Sequence, residues 1–238
     1  MTIVIPMAGE SSRFLKADMG PKYTLPIRPL ETLFDVSLRS FEKWFDTANF
    51  VIVVKDDFGY EFADEHMKYL NVKNYKIVNL NTLTRGQAES VYLGLKEVVS
   101  DDLSDELMIF NIDTIRHNLE LPDDEIWDTL FDAFYDENAT NEWSFAKTKD
   151  DSLDIIQTAE KDKISNWCST GLYIFRSIWL YVDAYERAIK DDSYNFYIAP
   201  LYNKMKGMTN KILVCPKENV DFAGTPGQYH ELYEKYNR

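Results

Sequence analysis

Residues 2–14 read TIVIPMAGESSRF, and the fold is decided there. Thr2–Pro6 is a nearly continuous apolar run, the pattern of a strand buried on both faces. It runs straight into a loop of mostly small residues. In open α/β sheets such a loop lies at the carboxyl ends of the strands, where ligands bind, and its backbone N–H groups can approach a phosphate closely. Arg13 follows, and Pro21-Lys22 brings a second cation. Spacing alone leaves two readings open: a phosphate-binding loop, or an ordinary strand-to-helix turn carrying a surface Arg and Lys. The G-x-x-x-x-G-K-[ST] pattern of a P-loop is absent. With Gly9 as its only glycine, the loop is also a poor dinucleotide fingerprint.

Outward from this stretch, buried-strand runs recur at 50–54 (FVIVV), 76–80 (KIVNL) and 107–112 (LMIFNI). Between them, 33–45, 60–70 and 87–99 have the apolar spacing of amphipathic helices. This β-α-β-α-β alternation predicts a parallel sheet covered by helices. The second half changes character. Residues 143–147, 153–158 and 169–175 are strand-like and predict a small antiparallel insertion. Helices are expected at 179–189, 197–205 and 227–236, and a last strand at 211–215. The expectation is one three-layer α/β/α domain over 1–238 with a Rossmann-like, mostly parallel sheet. Residues 1–115 form its nucleotide-binding half and 116–238 its acceptor-facing half.

The 238 residues carry 26 basic and 40 acidic side chains, a net charge of -14. Such a chain has no broad basic surface for DNA or RNA and is repelled by anionic membrane surfaces. A phosphorylated ligand would have to be held by a few placed cations and backbone N–H groups. No stretch approaches the roughly 18 apolar residues of a membrane span, and the first residues lack the charged start of a signal peptide. The two cysteines, Cys168 and Cys215, form no C-x-x-C pair, so neither a zinc site nor a disulfide scaffold is expected. These features suit a cytoplasmic protein.

The ordered motifs resemble those of the sugar-phosphate nucleotidylyltransferase superfamily, whose signature is G-x-G-x-R…P-K. MAGESSRF…PK is similar to that signature. Arg85-Gly86-Gln87-Ala88-Glu89-Ser90 resembles the family's base-binding loop, and Phe110-Asn111-Ile112-Asp113 its metal-binding aspartate. Glu160-Lys161 is similar to its E-K pair, and Ser169-Thr170-Gly171-Leu172-Tyr173 to its T-G-x-Y strand. Residues 196–203 (FYIAPLYN) and Gly224-Thr225-Pro226 look most like a branch found in capsule-biosynthesis loci.

The resemblance implies the reaction NTP + X-phosphate → NDP-X + pyrophosphate, with CTP mildly preferred and Mg²⁺ required. Arg13 would contact the triphosphate and Lys22 the attacking phosphate or the α-phosphate. Ala8, Gly9, Ser11 and Ser12 would line the nucleotide, and Gln87 and Glu89 would read the base. Lys161 would meet the acceptor phosphate, with Glu160 and Gly171 also on the acceptor side. Asp113 would bind the metal. Departures are visible. Ser11 or Ser12 stands where the family has a second glycine. Phe222 takes the place of a second metal aspartate, with Asp221 one residue earlier, so Asp221 serves as a ligand only if the local register slips.

Other features carry bland expectations. The Asp-Asp pairs at 56–57, 101–102, 123–124, 150–151 and 191–192 suit capping or solvated positions. The row Trp143, Phe145, Trp167, Tyr173, Phe175 suits either an acceptor wall or a packed core. His66, His117 and His230 carry no catalytic expectation. The terminal stretch YHELYEKY is amphipathic and offers a homodimer contact, or packs on its own domain. Two competing functions stay open: a glycosyltransferase of the same general fold using a finished nucleotide sugar, and a non-catalytic nucleotide-binding protein. The missing D-x-D, with Arg13 and Lys22 present, argues against the first.

Overall fold

Ile3, Val4 and Ile5 are fully buried because their strand is the middle of a sheet. The computed structural model describes residues 1–98, 103–122 and 126–238. Its first half contains β1 (Thr2–Pro6), α1 (Ser12–Leu15), β2 (Pro26–Arg28), β3 (Glu31–Thr32), α2 (Leu33–Leu38), β4 (Asn49–Val54), α3 (Asp57–Tyr69), β5 (Asn74–Asn79), α4 (Gln87–Val98) and β6 (Leu107–Phe110). The second half adds β7 (Thr114–Arg116), β8 (Thr129–Tyr135), β9 (Ser144–Thr148), β10 (Ile155–Glu160), β11 (Trp167–Phe175), α5 (Ile178–Ala188), β12 (Asn210–Val214), β13 (Val220–Phe222) and α6 (Pro226–Tyr236).

The main sheet runs β10-β9-β11-β6-β1-β4-β5, with β8 also beside β11 and β12 beside β8. β6, β1, β4 and β5 are mutually parallel. β11 returns antiparallel to β6, and β8, β9 and β10 continue that antiparallel side. Alternate residues of each parallel strand feed opposite faces. Val4, Val51, Val53 and Ile109 pack with Val91, Leu95 and Tyr181 under α4 and α5. Ile3, Ile5, Ile52 and Phe110 pack with Phe34, Ala63 and Met67 under α2 and α3. Helices therefore cover both faces, as the alternation predicts.

The structure differs from the sequence reading in several places. β8 (TLFDAFY) carries no strand expectation, because Asp132 interrupts its apolar run. Asp132 is nevertheless fully buried, paired with Arg116. The helix expected at 33–45 ends as α2 and continues as 3₁₀ turns over Arg39–Trp44, with Phe41 at φ -116°. The helix expected at 197–205 is a 3₁₀ turn, Ala199–Lys204, opened by Pro200. Asp56 caps α3, accepting from the Gly59 N–H at 2.8 Å. Val99 and the pairs at 101–102 and 123–124 lie outside the described residues. α6 buries Tyr229 and Leu232 against Phe14, Ile27, Leu33 and Ile115 of its own chain. Cys168 and Cys215 are buried and free, and burial pushes both thiols up to about 12. No described helix is long and apolar enough to cross a membrane.

Candidate active site

The loop after β1 leaves the sheet at the carboxyl end of the parallel strands. Met7 and Ala8 are buried, and the Met7 N–H still reaches the Val53 carbonyl at 2.8 Å. Ser11 has φ 52° and ψ 33°, a left-handed conformation that glycine adopts freely and serine does not. Of the two serines that could stand for the second glycine of the signature, Ser11 is the one with the glycine-like conformation. The Ser11 hydroxyl also accepts from the Lys22 N–H at 3.4 Å, which ties the two ends of the signature together.

Two cavities open at this end of the sheet. One, of about 380 Å³, is lined by Ala8, Gly9, Glu10, Lys22, Thr84, Gly86, Gln87, Ser90, Asn111 and Asp113. The other, of about 170 Å³, is lined by Arg13, Asn111, Asp113, Glu142, Trp143, Ser144, Glu160, Thr170, Gly171, Tyr173 and Phe222. Asn111 and Asp113 border both. The strand ends at Phe110 and the chain turns over 111–113, the Thr114 N–H reaching the Asn111 carbonyl at 3.3 Å, and this turn sets both side chains on the seam between the cavities. The Lys22 ammonium stands 2.6 Å from Asp113 Oδ2 there. Arg13 has no ion-pair partner among the described residues. It lines the smaller cavity, away from the side expected for a triphosphate contact. A larger cavity of about 550 Å³ lies at the opposite, amino end of β1, β4 and β5. That is the wrong end of a parallel sheet for ligand chemistry.

The larger seam cavity is shaped by the loop before α4. Gln87 Nε2 donates to Asn111 Oδ1. Asn111 holds its place because Gly171 has φ +92° and no Cβ; a Cβ there would stand 2.7 Å from Asn111 Nδ2. Glu89, expected to read the base, does not line the cavity. It accepts from the Arg85 N–H at 2.7 Å and pairs with the Arg85 guanidinium. Ser90 and Thr84, hydrogen-bonded to each other at 2.7 Å, line the wall in its place.

In the smaller cavity Glu160 accepts from the Ser144 hydroxyl, which also meets the Tyr173 hydroxyl at 3.3 Å. Burial pushes the Glu160 carboxyl above its ordinary range, more than Ser144 and Lys161 pull it back. Trp143 and Tyr173 wall this cavity, whereas Phe145 and Phe175 are core residues and Trp167 packs on the core. Lys161 turns aside to Tyr197, its Nζ donating to the hydroxyl at 3.0 Å.

The Glu160 shift carries a prediction. Folded Glu160 holds its proton more tightly than unfolded Glu160. Its ionisation therefore opposes folding, and stability falls as pH rises past the unfolded carboxyl range. Glu160→Gln is expected to melt higher than the wild type at pH 8, with the gap closing near pH 4. Circular dichroism melts across that range check it.

Asp221 is not brought to Asp113. β13 pairs with β7 in regular register, Asp221 opposite Ile115 and Phe222 opposite Thr114, so no slip carries Asp221 across. Its carboxylate is held by His117 Nε2 at 2.9 Å and Lys235 Nζ at 2.6 Å. Burial acts to raise it, but these two partners hold it below the usual carboxylate range. Phe222 faces the cavity and stacks edge-on with Trp143, centroids 4.7 Å apart. Among the described residues no three His, Cys, Asp or Glu side chains gather as a metal cluster. One seam carboxylate fits a magnesium ion that arrives with its own phosphate ligands, and the described residues offer no all-protein cage.

Asn111, Ser144 and Thr84 line the cavities without any expectation from the sequence. Asn111 alone had a usable signal, its place directly after the buried apolar run that ends at Phe110.

The chain is similar over 98% of its length, at 38% identity and TM-score 0.90, to a nucleoside-diphosphate-sugar pyrophosphorylase from Vibrio cholerae RC9, of which 99% is covered. It shares its fold with the inositol-1-phosphate CTP transferase of T. maritima at 15% identity and TM-score 0.72, covering 100% of this chain and 96% of that one. A putative glucose-1-phosphate thymidylyltransferase from Bacillus anthracis shares the fold equally, at 15% identity and TM-score 0.72, over 99% and 95% of the two chains. No family model matches the chain, and no curated protein does.

Proposed function

The chain belongs to the family of nucleoside-diphosphate-sugar pyrophosphorylases and related nucleotidyltransferases, and on that premise we propose that it moves a nucleotidyl group from a triphosphate to the phosphate of a small acceptor, releasing pyrophosphate. The observation that carries this reading is the seam: two cavities that meet at Asn111 and Asp113, with the Lys22 ammonium reaching Asp113 from the larger one. An acceptor phosphate in one and a triphosphate in the other would meet there. The protein needs no nucleophile of its own. It must align two anions that repel each other and stabilise charge on the α-phosphorus as the acceptor oxygen attacks in line.

The larger cavity is assigned to the nucleotide, with Gln87 and Ser90 facing the base, and the smaller to the acceptor, with Glu160 hydrogen-bonding its hydroxyl or amine groups. Lys22, on the seam, takes the charge of the phosphoryl group in transfer. Arg13, in the smaller cavity, meets the acceptor phosphate. Asp113 would hold magnesium together with the triphosphate oxygens, which supplies charge neutralisation for the departing pyrophosphate. CTP is the preferred triphosphate and a capsule or other surface polysaccharide the destination of the product. The resemblance of residues 196–203 and 224–226 to the capsule branch supports that part.

A thermal-shift panel of the four NTPs with Mg²⁺ tests the nucleotide half. A ligand at ten times its Kd stabilises the fold by about 1.4 kcal/mol, a rise in Tm of about 3–6 °C for a chain of this size. CTP is expected to give the largest shift. A second reading, nucleotide binding without catalysis, is favoured by one observation: Asp221 is held away from the seam by His117 and Lys235. Stabilisation by an NTP with no pyrophosphate released across a panel of sugar, polyol and amino-alcohol phosphates would decide for it.

A further inference from the structure

One short segment touches both the loop that lines the larger cavity and the strand end that carries Glu160 into the smaller one. Phe196 has φ +59°, a left-handed region that a bulky residue rarely enters. That strained backbone is used. Its carbonyl accepts from the Ala88 N–H at 2.8 Å, at the start of α4. A Cβ on Gly86 would lie 2.7 Å from both the Phe196 Cβ and its carbonyl oxygen, so the base loop fits only against this turn and only as glycine. The Phe196 ring lies under the Arg85 guanidinium at 4.1 Å.

The next residue faces the other way. The Tyr197 hydroxyl accepts from Lys161 Nζ at 3.0 Å, and Lys161 is itself left-handed, φ +56°. Further along, the Ala199 carbonyl accepts from the Thr158 hydroxyl at 2.5 Å, and the Asn203 side chain brackets the Thr158 backbone, 2.8 Å to its N–H and 2.8 Å to its carbonyl. The strand end that carries Glu160 and Lys161 is therefore fixed to the same segment. Among the described residues no carboxylate lies within ion-pair distance of the Lys161 ammonium, although the neighbouring Glu160 feels its charge. In a chain at -14 that is informative, because a neutral phenol orients the ammonium without cancelling its charge.

We propose that Phe196 and Tyr197 are positioning residues for nucleotidyl transfer: Phe196 sets the Arg85-Gly86-Gln87 loop on the nucleotide side, and Tyr197 holds the Lys161 ammonium for the acceptor phosphate. One left-handed turn then fixes the spacing between the two substrates. This inference rests on the nucleotidyl-transfer reading. A tie that served only to hold the fold together would change Tm without separating the two substrates.

The test uses the full chain with CTP and Mg²⁺, and inorganic phosphate as the probe of the acceptor-phosphate position, both followed by calorimetric titration. Tyr197→Phe is expected to weaken phosphate binding about fivefold and to leave CTP binding within twofold. In a Lys161→Ala background the same change is expected to be silent. Arg85→Ala, on an exposed side chain, and Phe196→Leu are expected each to weaken CTP binding about threefold, and together no more than either alone. Equal losses from Tyr197→Phe with and without Lys161, or no loss, overturn the Tyr197 role. Additive losses at Arg85 and Phe196 overturn the Phe196 role. A wild-type protein that binds CTP but not phosphate overturns this inference and leaves the nucleotide half standing. One that binds no nucleotide overturns the parent reading and this one with it.

Discussion

Lys22→Ala is expected to lower kcat/KM for pyrophosphate release at least about 10²-fold, roughly 2.7 kcal/mol of barrier. Asp113→Ala should do the same. The size follows from position. Lys22 lines the larger cavity and its ammonium reaches Asp113, which borders both cavities, so on the proposed reading its charge would act on the phosphoryl group in transfer and not only on a bound ground state. The same variant should fold normally. The Lys22 and Asp113 side chains are 25% and 19% exposed, and a partly solvated pair of this kind is worth about 1 kcal/mol or less. The shift in Tm is then no more than about 2–4 °C. A steady-state pyrophosphate assay beside a thermal melt separates the two effects. Wild-type turnover in Lys22→Ala would remove the seam as the site of chemistry. A matched collapse of Tm and activity would show that the pair is structural.

What the sequence made legible follows from burial and period. β1, β4 and β6 could be read because strands buried on both faces are apolar throughout. β8 could not, because a charged residue in a strand looks like a break unless its partner is known, and Arg116 lies sixteen positions away on another element. The signature loop, Lys22 and Asp113 were singled out as a set by the resemblance, and the fold brings Lys22 to 2.6 Å from Asp113. Glu89 was misplaced for a local reason. A glutamate in the first turn of a helix can reach back to its own loop, and this one does so through Arg85. The Asp221 question turned on a single residue of register. Pairing with β7 answers it by putting Phe222 at the cavity. Neither left-handed residue that shapes the Lys161 side, Phe196 or Lys161 itself, carries a sequence signal, since that conformation is imposed by what the turn packs against.

Arg116→Met is expected to destabilise the fold by about 3–5 kcal/mol, a fall in Tm of roughly 6–20 °C. Arg116 and Asp132 side chains are 3% and 0% exposed, with Nε–Oδ2 at 3.0 Å and Nη2–Oδ1 at 3.3 Å. Removing the guanidinium strands the carboxylate in the core. The loss reaches the site, because Asp132 Oδ2 also accepts from the Thr170 hydroxyl at 2.5 Å, and Thr170 precedes the glycine that makes room for Asn111. The second change, Asp132→Leu, separates a stranded charge from a lost attraction. A buried ion pair stabilises little against an apolar pair of similar volume. The double variant Arg116→Met with Asp132→Leu should therefore recover most of the stability, and Thr170 keeps the Asp132 backbone carbonyl, at 3.3 Å, as an acceptor. Urea melts of the two single variants and the double variant measure this. A double variant as unstable as Arg116→Met alone would show that the pair holds β7 against β8 by its geometry, since the cost would then persist after the buried charge is gone.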